Sequence, residues 1–118
     1  MTKPRALVVD DEPDIRELLA ITLGKMDLDV DTAGDYRSAV QRLSGVLYDL
    51  VLTDMRLPDG DGLDLVGWIQ DNRPGVPVAV ITAHGNVEAA VRALKLGAFD
   101  FISKPLDLAA LRKLITAT

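Results

Sequence analysis

The chain has 118 residues, 48% apolar and 26% charged, which suits one domain with a core of its own. It contains no cysteine, so disulfides, thiol nucleophiles and thiolate metal sites are excluded. Eighteen acids against thirteen bases leave a net charge of −5, which argues against a nucleic-acid or anionic-membrane partner. All of the acids except Glu12, Glu17 and Glu88 are Asp, a residue of caps, turns and oxygen-ligand sites rather than of helix faces. Met1-Thr2-Lys3-Pro4-Arg5 runs straight into a short apolar stretch that ends in acids, unlike a signal peptide. No apolar run approaches the roughly 20 residues of a membrane helix. A soluble, cytoplasmic protein is expected.

Ala6–Val9 is a compact apolar run, read as a strand buried on both faces. Pro13 stands at a helix N1 position, with Asp14 and Glu17 where the helix dipole favours acids. Ile15, Leu18, Leu19, Thr22, Leu23 and Met26 then mark one helical face. Residues 29–33 form a weak second strand. Asp35 caps a second helix with Ala39, Val40 and Leu43 inward and Gly45 at its end. Residues 50–53 are the third strand, 57–62 a loop of turn residues. Leu63, Val66, Ile69 and Gln70 lie on a third helix that stops before Pro74-Gly75. Residues 78–81 make a fourth strand. Asn86 caps a fourth helix, 87–96, closed by Gly97, and 99–102 form a short fifth strand. Asp107 caps the last helix. Five strand–helix alternations imply a parallel sheet with helices on both faces. The last helix runs to the end without a capping signal, so residues 1–118 are expected to be the N-terminal domain of a longer chain.

In an open parallel sheet, ligands bind beyond the carboxyl ends of the strands. Asp10, Asp11 and Glu12 follow the first strand, Asp54, Met55 and Arg56 the third, Thr82, Ala83 and His84 the fourth, and Ser103, Lys104 and Pro105 the fifth. The second strand contributes nothing distinctive. Converging carboxylates repel one another and would titrate high without compensation. Mg²⁺, an oxygen-seeking ion, relieves them. An Asp held between Mg²⁺ and a lysine stays ionised and nucleophilic, and a threonine hydroxyl can bond a phosphoryl oxygen. The set fits acyl-phosphate formation on an Asp. Each piece has a plainer explanation: Asp-Asp after a strand caps helices, a strand-end Thr is commonly structural, and Lys-Pro is a common solvated turn. No cap requires all four to occur together, one at the end of each of four strands.

Leu-Val-Val-Asp-Asp-Glu (7–12), Leu-Thr-Asp-Met-Arg-Leu-Pro-Asp-Gly-Asp-Gly (52–62), Ile-Thr-Ala (81–83) and Gly-Ala-Phe-Asp-Phe-Ile-Ser-Lys-Pro (97–105) together resemble a two-component response-regulator receiver domain across essentially the whole chain. The resemblance implies a flavodoxin-like (CheY-like) α/β fold: three layers, a doubly wound five-stranded parallel sheet of order 2-1-3-4-5, and five helices. It implies Asp54 as phosphoacceptor. Asp11 would be a direct ligand of Mg²⁺, Asp10 a ligand largely through water, and the Met55 carbonyl a further one. Lys104 would pair with the phosphoryl group, before a cis Lys104–Pro105 bond. Thr82 would be the switch hydroxyl and Phe101 the switch aromatic, where many relatives carry Tyr. Phe101 could equally be plain core. Arg56 and His84 would flank the mouth of the site, unless they are mere surface. The implied partner is a sensor histidine kinase. Such a domain would catalyse its own phosphorylation and dephosphorylation without turning over an external substrate.

The stretches 11–19, 54–60, 82–85 and 97–101 are most similar to nitrogen-regulator-type receivers, and within that class to regulators of type IV pilus transcription. That class implies attached sigma-54-interacting ATPase and helix-turn-helix DNA-binding output domains, a homodimer, and no direct contact of this domain with nucleic acid or membrane. A stand-alone receiver, or one with another output, is the alternative. A haloacid-dehalogenase-type phosphatase would carry its nucleophile after the first strand and a second Asp two residues on, where Glu12 and Pro13 stand. A pseudo-receiver usually lacks a carboxylate or the lysine. A flavodoxin's phosphate loop is replaced here by two acids.

Overall fold

The computed structural model describes residues 3–83 and 86–116. The elements in chain order are β1 (Arg5–Val9), α1 (Pro13–Lys25), β2 (Asp29–Ala33), α2 (Tyr36–Gly45), β3 (Leu50–Asp54), β4 (Arg56–Leu57), β5 (Gly60–Asp61), α3 (Gly62–Asn72), β6 (Val78–Thr82), α4 (Val87–Leu96), β7 (Asp100–Ser103) and α5 (Leu108–Thr116). The main sheet has the order β2-β1-β3-β6-β7, and all its neighbouring strands are parallel. Once β4 and β5 are set aside as a separate hairpin, this is the flavodoxin-like order 2-1-3-4-5, with five helices among the described residues.

Side chains alternate across a strand, so each central strand feeds two cores. Leu7, Val9, Val51, Val78 and Val80 point toward α2, α3 and α4, where they meet Leu43, Leu65, Val66, Ile69 and Ala93. Ala6, Val8, Leu50, Leu52, Ala79 and Ile81 point toward α1 and α5, against Leu19, Leu23, Leu111 and Leu114. Burial on both faces explains why β1, β3 and β6 read as unbroken apolar runs. Removing a side chain such as Leu52 would cost about 2–5 kcal/mol.

Three local expectations are corrected. Leu18 is exposed, because it lies at the rim of the stripe carried by Ile15, Leu19 and Thr22 and is turned off the sheet. Residues 57–62 are not plain loop. Leu57 is buried and pairs with Gly60 across a two-residue connection, and α3 already begins at Gly62. Gly45 is the last residue of α2, but the chain leaves through an extended Val46, so no left-handed cap forms. Gly97 does cap α4 in the left-handed region, with φ 119°. Among the described residues no helix is long and apolar enough to cross a membrane.

Candidate functional site

The register of the sheet sets the site. Val9 is level with Ala33 on one side and Thr53 on the other, Asp54 with Ile81, and Thr82 with Ser103. Ladder bonds continue just past the strands: Asp10 N donates to Ala33 O (3.1 Å), Met55 N to Ile81 O (3.1 Å) and Lys104 N to Thr82 O (2.8 Å). Asp10, Asp54, Thr82 and Lys104 therefore emerge at one edge. The Lys104–Pro105 peptide bond is cis, as expected.

Lys104 joins the pieces. Its Nζ lies 3.1 Å from Asp54 Oδ2, 3.4 Å from Asp10 Oδ2 and 3.4 Å from Glu12 Oε1. Partial burial works against the ammonium. The hydrogen bond and charge of Asp54, with the charges of Asp10 and Glu12, outweigh it and hold the Lys104 pKa above the ordinary lysine value. Asp10 is fully buried. That burial raises its pKa, and Asp54 adds to the rise against the opposing Glu12 N–H and Lys104. Asp10 Oδ1 accepts from Glu12 N at 2.9 Å, whereas Oδ2 accepts no hydrogen bond and faces the Lys104 ammonium at 3.4 Å. A buried carboxylate oxygen left this way is costly and suits a cation.

Carboxylate oxygens of Asp10, Asp11 and Glu12 lie within 4.8 Å of one another, a donor set of the kind hard cations take. Asp54 stands apart from this trio, its Oδ1 facing Arg56 N (3.4 Å) and its Oδ2 facing Lys104. The Met55 carbonyl accepts from Gly62 N at 2.8 Å and keeps a second lone pair. Thr82 is buried at the end of β6. Phe101 is not core: the residue is 38% exposed on the edge strand β7. Arg56 is exposed, two residues past Asp54. His84 lies outside the described residues.

Four contributors escaped the sequence reading. Arg16 Nη1 donates to Asp10 O at 2.8 Å. Gly34 leaves the room for it, since a Cβ there would sit 2.9 Å from Nη1. Gly62 packs on the Asp54 and Met55 main chain, where a Cβ would lie 2.8 Å from Met55 Cα. Asp59 accepts from Tyr36 N (2.7 Å) and Arg37 N (3.1 Å), tying the hairpin to the start of α2. The one available signal was Arg16 itself: a cation near a helix N-terminus runs against the macrodipole, and such a conflict points to another task.

Residues 6–116 match the family described as the response regulator receiver domain. The chain is 57% identical to the Response regulator protein PilR of Pseudomonas aeruginosa over 115 residues, which is 98% of this chain and 26% of that protein. It is 42% identical over 103 residues to the Nitrogen assimilation regulatory protein NtrX of Azorhizobium caulinodans, covering 86% of this chain and 23% of that one. The crystal structure of NtrX from Brucella abortus in complex with ADP superposes with a TM-score of 0.93 at 38% identity, over 98% of this chain and 27% of that one. The chain spans about a quarter of the length of the curated relatives it matches. With its parallel sheet, its acids at one edge and its lysine between them, the chain belongs to the response regulator receiver domain family.

Proposed function

We propose that this domain accepts a phosphoryl group on Asp54 from the phosphohistidine of a sensor histidine kinase, and that the modified domain switches an output module. The observation that carries this reading is the position of Lys104 Nζ, 3.1 Å from Asp54 Oδ2 and 3.4 Å from Asp10 Oδ2. The lysine already stands where phosphoryl charge would develop. The same ammonium holds the Asp54 carboxylate, the attacking group, in place. Asp54 forms the O–P bond as the N–P bond of the donor breaks, and the released imidazole keeps the electron pair. Water later cleaves the O–P bond and returns inorganic phosphate.

Asp10, Asp11, Asp54 and the Met55 carbonyl would hold Mg²⁺, and the unbonded, buried Asp10 Oδ2 supports that fit. When bound, the ion neutralises the acids and the oxygens of the transferring group. Lys104 then exchanges its carboxylate partners for a phosphoryl oxygen. Thr82 moves toward the same group, and Phe101, now exposed, turns into the space vacated. New charge-assisted contacts thereby bias a two-state equilibrium, read at the surface of α4, β7 and α5. Arg56 and His84 flank the mouth and tune the lifetime of the phosphoryl group. The similarity to the regulators PilR and NtrX supports a regulator of this kind, and the proposal extends to a cytoplasmic homodimer with attached sigma-54-interacting ATPase and DNA-binding domains.

Incubation with Mg²⁺ and acetyl phosphate tests the reading by intact mass. One phosphoryl adduct is expected on the wild type, and none after chelation or in Asp54→Ala. An undiminished adduct on Asp54→Ala overturns it, and steady turnover of a phosphate ester would speak for a phosphatase instead.

A further inference from the structure

We infer that Arg16 is the positioning residue of the acidic pocket: through the Asp10 carbonyl it fixes the main chain from which Asp10, Asp11 and Glu12 fan out, and Gly34 is the slot that admits its guanidinium. The inference rests on the reading of that pocket as a cation site.

Asp10 is held from several sides. Its N–H donates to Ala33 O of β2 at 3.1 Å. Its Oδ1 accepts from Glu12 N at 2.9 Å, closing a turn over the start of α1. Its carbonyl accepts from Arg16 Nη1 at 2.8 Å. With these bonds made, Oδ2 is the one polar atom of Asp10 left without a hydrogen bond, and it faces the Lys104 ammonium. The Asp10 carbonyl belongs to the peptide that leads into Asp11. A tether there sets the direction in which both carboxylates leave the chain. Arg16 acts on the main chain and belongs to the shell behind the acids.

The choice of residue follows. Arg16 reaches back from the first turns of α1, with its own N–H on Glu12 O at 3.1 Å. One guanidinium nitrogen meets the carbonyl, and the planar fork holds direction better than a lysine ammonium does. The guanidinium lies against Gly34 at the end of β2. A Cβ at Gly34 would come within 2.9 Å of Nη1 and 3.6 Å of Cζ. Gly34 is not among the residues with positive φ, so its backbone needs no glycine. It is the space that does. This gives the second strand, which offers no chemistry of its own at its carboxyl end, a part in the site.

Titration of Mg²⁺ followed calorimetrically, with thermal melting in parallel, separates positioning from mere structural support. Arg16→Met should weaken Mg²⁺ binding about tenfold, at the low end for partners behind a metal's ligands. Arg16→Lys should recover part of it. Gly34→Ala keeps every charge and donor yet displaces the guanidinium, so it should weaken Mg²⁺ binding at nearly wild-type melting temperature. KM for acetyl phosphate at saturating Mg²⁺ should change little in all three. Wild-type affinity in Arg16→Met and Gly34→Ala overturns the inference, whatever their melting temperatures. If the wild type itself takes up no Mg²⁺, the cation-site reading fails and this inference falls with it.

Discussion

Asp10 is where fold and function pull hardest against each other. Burial raises its pKa, and an acid that titrates higher when folded stabilises the fold only while protonated. That contribution is complete below the ordinary value of 3.8 and disappears as pH rises through the raised one. In metal-free buffer the urea midpoint should therefore lose ground as pH rises above the ordinary carboxylate value, relative to Asp10→Asn, which carries no ionisable group. Equal pH slopes for the two proteins would contradict the assignment. Lys104 bears on the opposite end of the scale: its raised pKa keeps the ammonium charged at neutral pH, and what it adds to stability is lost only above the ordinary lysine value of 10.5. Gly62 makes a steric demand. A Cβ there would fall inside contact distance of the Asp54 carbonyl oxygen and 2.8 Å from Met55 Cα, both main chain. Gly62→Ala should cost about 3 kcal/mol, the upper end for overpacking, measured by urea unfolding. Unchanged stability would mean that the α3 start can retreat from Asp54 and Met55.

Among the elements, α2 shows how the acids divide. Its first N–H groups are satisfied in sequence: Tyr36 and Arg37 donate to Asp59, Ser38 to Asp35 Oδ1 at 2.8 Å and Ala39 to the Asp35 carbonyl. The Ser38 side chain and N–H hold the Asp35 pKa below the usual carboxylate value, so its support is present at neutral pH and lost as pH falls through the lowered value. Asp59→Ala should cost about 1 kcal/mol and loosen the β4–β5 hairpin, visible as faster amide exchange at Tyr36 and Arg37. Exchange at the wild-type rate would show that water replaces the carboxylate without loss. Asp35 was legible from sequence because cap and helix are adjacent. Asp59 was not, because it caps a helix more than twenty residues earlier, and no local pattern carries such a pairing. Asp61 caps α3 through Leu63 N and Asp107 caps α5 through Ala109 and Ala110, so much of the Asp excess sits at helix starts. The central strands β1, β3 and β6 were legible from their runs of apolar residues, while β2, which alternates acids at its start, read only as a weak strand. The two-residue strands β4 and β5 were not legible, being too short to show a period.

For the whole molecule, the sheet order came with the family resemblance, and the site edge followed because a parallel sheet delivers every strand end to one side. What the motifs left open was the surface. Val87, Val91 and Leu94 stand together on one exposed face of α4, and Phe99 and Phe101 are exposed farther along the chain. Scattered exposed residues mean little, but a contiguous group favours a partner. On the proposed homodimer, beryllofluoride with Mg²⁺ should shift the domain toward dimer in sedimentation velocity. Val91→Asp should weaken that dimer at least about fivefold, roughly 1 kcal/mol. A dimer indifferent to this change lies on another face. The central claim is narrower and concerns one oxygen. Reductive trapping with borohydride after treatment with Mg²⁺ and acetyl phosphate converts an aspartyl phosphate to homoserine, and peptide mass spectrometry then locates it. Homoserine at position 54, and at no other aspartate, is the predicted result; homoserine at another aspartate, or at none, would contradict it.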